Sequence, residues 1–226
     1  MKKILLALYF LLCSSYVAAD SSYYFTAGGN SKLHYTIPSG YYSDEDLHFR
    51  FKNLAENYSP PQNLLAFYTT SADLQSYVDT GEFPFIANGT IVMGQLKSNR
   101  AINRSMFNSV KHHLYRNGYN IASISEFRRV FDENQRWFNR EFNTRHRARI
   151  ESIENLGTVV QGLNSAGVMG LVTASHNNKI IKSLEAGGLI YYKNSVLIVS
   201  MTRKYNSDND ISILKNHFKK IMNSFK

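Results

Sequence analysis

The sequence predicts an α+β fold: a single domain in which an antiparallel sheet is covered by long amphipathic helices, as in an α/β/α sandwich. Three observations carry this. Residues 123–152 hold an apolar stripe at helical spacing. Residues 158–205 switch to the two-residue period of strands, with turn signals at Asn164-Ser165, Asn177-Asn178, Gly187-Gly188 and Lys193-Asn194. Residues 208–225 then return to the helical period. A chain of 226 residues with 15 Tyr and 14 Phe has ample material for one core, and its four Pro and few charge runs argue against extended disorder.

The N-terminus reads as a targeting segment. Lys2 and Lys3 precede an apolar run, Ile4 to Leu12, which is short for a membrane span, and Val17-Ala18-Ala19 places small residues at −3 and −1 of a cleavage site. The expected organisation is a signal peptide over 1–19, a flexible leader over 20–30 and one α+β domain over 31–226. Cys13 is the only cysteine, and Leu12 before it is not the small residue that a lipoprotein signal requires. A chain starting at Asp20 has no thiol and forms no disulfide, so its core must hold unaided. Cleavage removes Lys2 and Lys3 and no acid, taking the charge from +9 to +7. That balance favours anionic partners. A disulfide-free exported chain rich in Asn, Lys, Tyr and Ile points to a bacterial envelope, periplasmic or secreted, where the sequons at Asn57, Asn88 and Asn103 carry no meaning.

In order along the chain, Tyr23 to Thr26 is a short edge strand within the leader. Lys32 to Ile37 is a strand, with Leu33, Tyr35 and Ile37 on one side, and Pro38-Ser39-Gly40 is a turn. Asp44 to Asn57 reads as a short helix, with Leu47, Phe51 and Leu54 on one face. Asn63 to Thr69 is a buried strand, and Ser71 to Val78 a helix capped by Ser71. Phe85 to Leu96 is a strand in which Asn88-Gly89 is a turn or a bulge. Ala101 to Asn117 is a helix with Met106, Phe107, Val110 and Leu114 as its stripe and Gly118 just beyond its end.

The central helix, Ser123 to Ser152, opens with the Ser123/Glu126 spacing of a capping box. Phe127, Val130, Phe131, Phe138 and Phe142 make its stripe, with Trp137 at the edge, and Arg129 and Arg136 lie on the opposite face. From Thr144 to Arg149 the apolar pattern lapses and the helix ends or projects. Five strand-like runs follow as an antiparallel meander, with Gly187-Gly188 either a turn or a bulge in one long strand. The last helix carries Ile211, Leu214, Phe218, Ile221, Met222 and Phe225 on one side, and Asp208 and Asp210 at the end that suits the macrodipole.

Two parts of this pattern resemble the PsbP/Mog1/DcrB-like group. One is the strand pair ending Tyr191-Tyr192-Lys193-Asn194-Ser195-Val196-Leu197-Ile198-Val199, with the terminal helix closing Ile221-Met222-Asn223-Ser224-Phe225. The other is the opening strand Tyr35-Thr36-Ile37-Pro38. Where members usually have a Trp after the Pro turn, this chain has Tyr41-Tyr42. The resemblance implies an α/β/α fold. Members serve unrelated roles, so it implies no activity and assigns no site residue.

No motif commits the chain to chemistry. His112-His113 are adjacent on a helix and diverge by roughly 100 degrees. Asp44, Glu45, Asp46 and His48 lack the pattern of a calcium loop. Ser175-His176 would face opposite ways on a strand. Gly162 to Gly167 lacks nucleophile-elbow spacing, and Gly167 to Gly170 is too short for a phosphate loop. Accordingly no catalytic residue, metal ligand or cofactor is assigned. The one surface feature is the basic stretch holding Arg140, Arg145, Arg147 and Arg149, which fits an anionic surface, with a solvated helix end as the plain reading. No nucleic-acid-binding module is visible, so nucleic acid is disfavoured as a partner, whereas an unknown protein or a membrane surface stays open. The expected function is an exported, non-enzymatic binding or accessory protein of the bacterial envelope or secretome. The alternatives are a hydrolase-like enzyme without a sequence motif and a basic protein of the membrane surface.

Overall fold

Alternating apolar and polar residues set the strands, and helical stripes set the layers over them. The structure is a computed structural model describing residues 21–27, 31–43, 63–80, 86–94, 103–119, 132, 136, 148–176, 179–192 and 195–225. The expected signal segment over 1–19 and the expected helix over 44–57 lie outside the described residues. The edge strand expected within the leader is longer than its sequence signal: β1, Ser21–Ala27, pairs along its whole length with β2, Ser31–Ile37. β2 alternates as predicted, with Leu33, Tyr35 and Ile37 buried and His34 exposed. It ends in a turn closed by Tyr41 N–H donating to Pro38 O at 3.2 Å, with Gly40 at φ +87°.

The next strands are β3, Tyr41–Tyr42; β4, Asn63–Thr70; and β5, Ala87–Gly94; α1, Ser71–Thr80, lies between the last two. After α2, Arg104–Asn117, come β6, Ala148–Gln161; β7, Ser165–His176; β8, Lys179–Tyr192; and β9, Ser195–Lys204. The chain closes with α3, Asp208–Ser224. Strands β3 to β9 form a second sheet, antiparallel throughout, in the order β3-β4-β5-β9-β8-β7-β6. The predicted meander is β6 to β9, and its last strand docks beside β5 to join the two halves.

Helices cover both faces. The stripe of α3 buries Leu214, Phe218, Ile221 and Met222 against Met169, Leu184, Ala186 and Val199. Successive residues of a strand point to opposite faces. Ala166 and Val168, which alternate with Gly167 and Met169, therefore face the other way, where Leu114 of α2 packs on them. The α+β sandwich is the observed architecture. At the C-terminus, Ser224 Oγ accepts from Thr36 N–H at 2.7 Å and the Tyr35 and Phe225 rings stack at 6.0 Å. The two segments that carry the family resemblance are thus in contact.

Five local expectations are corrected in whole or in part. The central helix does not reach Ser152, because Ala148 onward is strand. A bulge between Ile150 and Ser152 lets Ile150 and Ile153, three apart, pair with Ala174 and Val172 on one face, so a strand imitates helical spacing. Of the rest of that helix, Asp132 and Arg136 are described, helical and exposed, as the face assignment requires of Arg136; Phe131, Phe138 and Arg129 lie outside the described residues. Asn88-Gly89 is neither turn nor bulge but regular ladder, paired on both sides. Gly187-Gly188 likewise continues one unbroken strand. The cap of α1 is Thr70 and not Ser71: Thr70 Oγ1 accepts from Asp73 N–H at 3.2 Å. In α2, Asn103 Oδ1 caps Met106 N–H at 2.9 Å, and Gly118 N–H closes on Leu114 O at 2.8 Å. Its stripe holds for Phe107 and Leu114, while Met106 and Val110 are exposed.

Candidate functional site

Of the basic residues singled out in the sequence, Arg140, Arg145 and Arg147 lie outside the described residues. Arg149 is exposed near the start of β6. Its place on a strand takes it out of the helix end on which the basic stretch was expected. The sheet gives Arg149 new neighbours instead. Register runs Arg149 to Ser175 to Ile180, and Ala148 to His176 to Lys179, across β6, β7 and β8. On the other side of β8, Lys204 pairs with Ser183, and Tyr205 N–H donates to Lys182 O at 3.0 Å. One end of the sheet therefore gathers Arg149 of β6, Lys179 and Lys182 of β8, and Lys204 of β9.

An open groove of about 520 Å³ lies there, lined by Lys179, Ile180, Ile181, Lys182, Lys204 and Tyr205. Ile180 is 61% exposed and Ile181 45%. The carboxylates nearby are already engaged. Arg203 Nε donates to Asp210 Oδ1 at 2.7 Å, and Asn206 and Ser207 N–H donate to its Oδ2 at 3.0 and 3.1 Å. Burial opposes charge on Asp210, yet these donors hold its carboxyl below the usual carboxylate range. Asp208 accepts from Tyr205 Oη at 2.7 Å, and Glu151 from Ser175 Oγ at 2.7 Å. Among the described residues no carboxylate pairs with Lys179, Lys182 or Lys204.

A second polar feature escaped the sequence reading. Glu185 stands mid-strand on β8, on the face that α2 covers. Tyr119 Oη donates to it at 3.3 Å and Ser183 Oγ at 3.4 Å. Burial pushes its carboxyl up to about 7, against the opposing hydrogen bonds from Tyr119, Ser183 and Thr202. Tyr119 is pushed up in turn, by burial and then by Glu185. The signal available in the sequence was one acid inside Leu184-Glu185-Ala186. This pair couples α2's exit to the sheet.

The remaining candidates separate. Ser175 Oγ donates a hydrogen bond to Glu151. His112 and His113 are exposed, the latter meeting Asn117. Gly167 and Gly170 lie within β7, under the Phe218 and Tyr119 rings. Asp44, Glu45, Asp46 and His48 lie outside the described residues. Among the described residues no group of three His, Cys, Asp or Glu is placed to hold a metal ion, and no helix is long and apolar enough to cross a membrane.

With this geometry in hand, comparison with solved structures finds likeness at the level of the fold. The chain is similar to cyanobacterial PsbP (CyanoP) from Synechocystis, with TM-score 0.39 and 8% identity over 93% of this chain and 94% of that one. It is also similar to the Ran-binding protein Mog1p of Saccharomyces cerevisiae, with TM-score 0.37 and 8% identity over 92% of this chain and 96% of that one. A point mutant of Mog1 matches at TM-score 0.37 and 11% identity, over 91% of this chain and 95% of that one. The likeness is weak and unspecific and carries nothing about activity. No family model and no curated protein matches the chain.

Proposed function

We propose that this chain is an exported, non-enzymatic binding or accessory protein of the bacterial envelope or secretome, and that its working surface is the basic end of the sheet, addressed to an anionic surface. The observation that carries the reading is convergence. Arg149 closes the basic stretch 140–149, and β-sheet register sets it in line with the end of β8 that bears Lys179 and Lys182, with Lys204 across the ladder. Arg149, Lys179, Lys182 and Lys204 outnumber the carboxylates Glu151 and Asp208, and Asp210 is ion-paired with Arg203, so the field at this end is positive. Export rests on the N-terminal segment, and intact mass of exported material should correspond to a chain beginning at Asp20. A mass retaining residues 1–19 would remove that part of the reading.

Binding is tested by co-sedimentation with anionic against neutral vesicles. The expected result is modest affinity for the anionic vesicles alone, fading as salt shortens the reach of these charges to below about 8 Å. The double variant Arg145→Ala, Arg149→Ala should bind more weakly. Equal binding to both vesicle types, or indifference to salt, would return the basic stretch to an ordinary solvated surface.

A further inference from the structure

We infer that the first residues of β8 form an insertion tip for an anionic phospholipid bilayer, with Ile180 and Ile181 entering between headgroups that Lys179, Lys182 and Lys204 engage. This rests on the reading of the basic end as the working surface, and adds the ligand source and the mode of contact. The decisive observation is two-sided exposure. Adjacent residues on a strand point to opposite faces, yet Ile180 and Ile181 are 61% and 45% exposed. The whole run Lys179 to Lys182 is exposed, whereas the following residues alternate between buried and half-buried. The start of β8 therefore lies outside both helical layers, with an apolar side chain on each face.

That shape selects among occupants. A docked protein surface or an added peptide would cover one face of the strand and leave the other isoleucine in water. A bilayer interface surrounds whatever enters it and covers both. The flanking chemistry agrees. Lysines bracket the isoleucines on either side, where long basic side chains reach back to headgroup phosphates. Tyr205, an interfacial residue type, lines the same groove. Arg149, Lys179, Lys182 and Lys204 outnumber the carboxylates Glu151 and Asp208 beside them, so the tip complements anionic headgroups.

The test uses the exported chain, which holds no cysteine once Cys13 is removed with the signal segment. Ile180→Cys carrying an environment-sensitive fluorophore reports insertion. Leu163→Cys, exposed at the β6–β7 turn on the opposite end of the sheet, is the control. With anionic vesicles the label at 180 should shift to the blue and be quenched by lipid-borne quenchers, and the label at 163 should not. Removing an isoleucine from water is worth about tenfold in affinity. Ile180→Ser with Ile181→Ser should therefore weaken vesicle binding by between about tenfold and a hundredfold, while binding to soluble polyphosphate stays unchanged. Equal vesicle affinity for this variant and the parent, with binding still salt-dependent, would overturn insertion and leave the basic surface standing. Absence of vesicle binding by the parent at low salt would overturn both.

Discussion

At Glu185 a single carboxyl links stability to pH. Burial raises its folded-state value to about 7, above the ~4.3 of an exposed glutamate. The folded state thus keeps a proton that the unfolded state loses. Stability is full below the unfolded value and declines as pH rises toward the folded one, by on the order of 3 kcal/mol across that window. Glu185→Gln should flatten the dependence between about pH 4.3 and 7 and make the variant more stable than the parent at pH 8; denaturant titrations at pH 5 and pH 8 measure this. Equal slopes would place the titration elsewhere. Gly89 shows why residue-scale detail was hard to read in advance. A Cβ there would lie 2.3 Å from the Tyr68 ring and 2.4 Å from Ser200 O, while Tyr68 Oη donates to that same oxygen at 2.7 Å. The glycine makes room for a ring crossing the ladder, and the Asn-Gly turn signal has no means of distinguishing that from a hairpin. Glu185 was equally hidden, since nothing local marks which face of a strand a helix will cover.

Elements were far more legible, because burial acts on periodicity. The stripe of α3 and the alternation of β2 appear in the structure as the spacing requires, and the meander follows the turn signals except where the glycine pair sits inside β8. The failure at residues 148–152 has a local cause: bulges in β6 break the two-residue period, and the Arg-rich composition there suits a helix equally well. The element on which the sandwich most depends is α3. Phe218 is fully buried, and its ring lies where a Cβ at Gly167 would come within 2.6 Å and one at Gly188 within 3.0 Å. Two glycines thus open the sheet to one ring. Phe218→Ala leaves that space unfilled and should cost about 3–5 kcal/mol, read as a lowered denaturation midpoint with an unchanged slope. A loss below about 1 kcal/mol would mean that the site collapses around the gap, the low end of large-to-small substitutions.

For the molecule as a whole, net charge was plain in the composition but its placement was not. The sequence located one basic run at residues 140–149. Only sheet register brings Arg149 into line with Lys179 and Lys182, far along the chain, and sets Lys204 beside them. Long-range pairing is what a local reading lacks: charges that look scattered along the chain share one end of a fold. The most direct test reverses those charges with the core untouched, comparing the parent with Lys179→Glu, Lys182→Glu, Lys204→Glu by vesicle co-sedimentation at low salt. All three sites belong to the groove and none to the core clusters, so circular dichroism should be unchanged. With each lysine near an anionic surface contributing on the order of 1 kcal/mol, the variant should lose at least about a hundredfold in affinity for anionic vesicles. A correctly folded variant that binds as tightly as the parent would contradict the account.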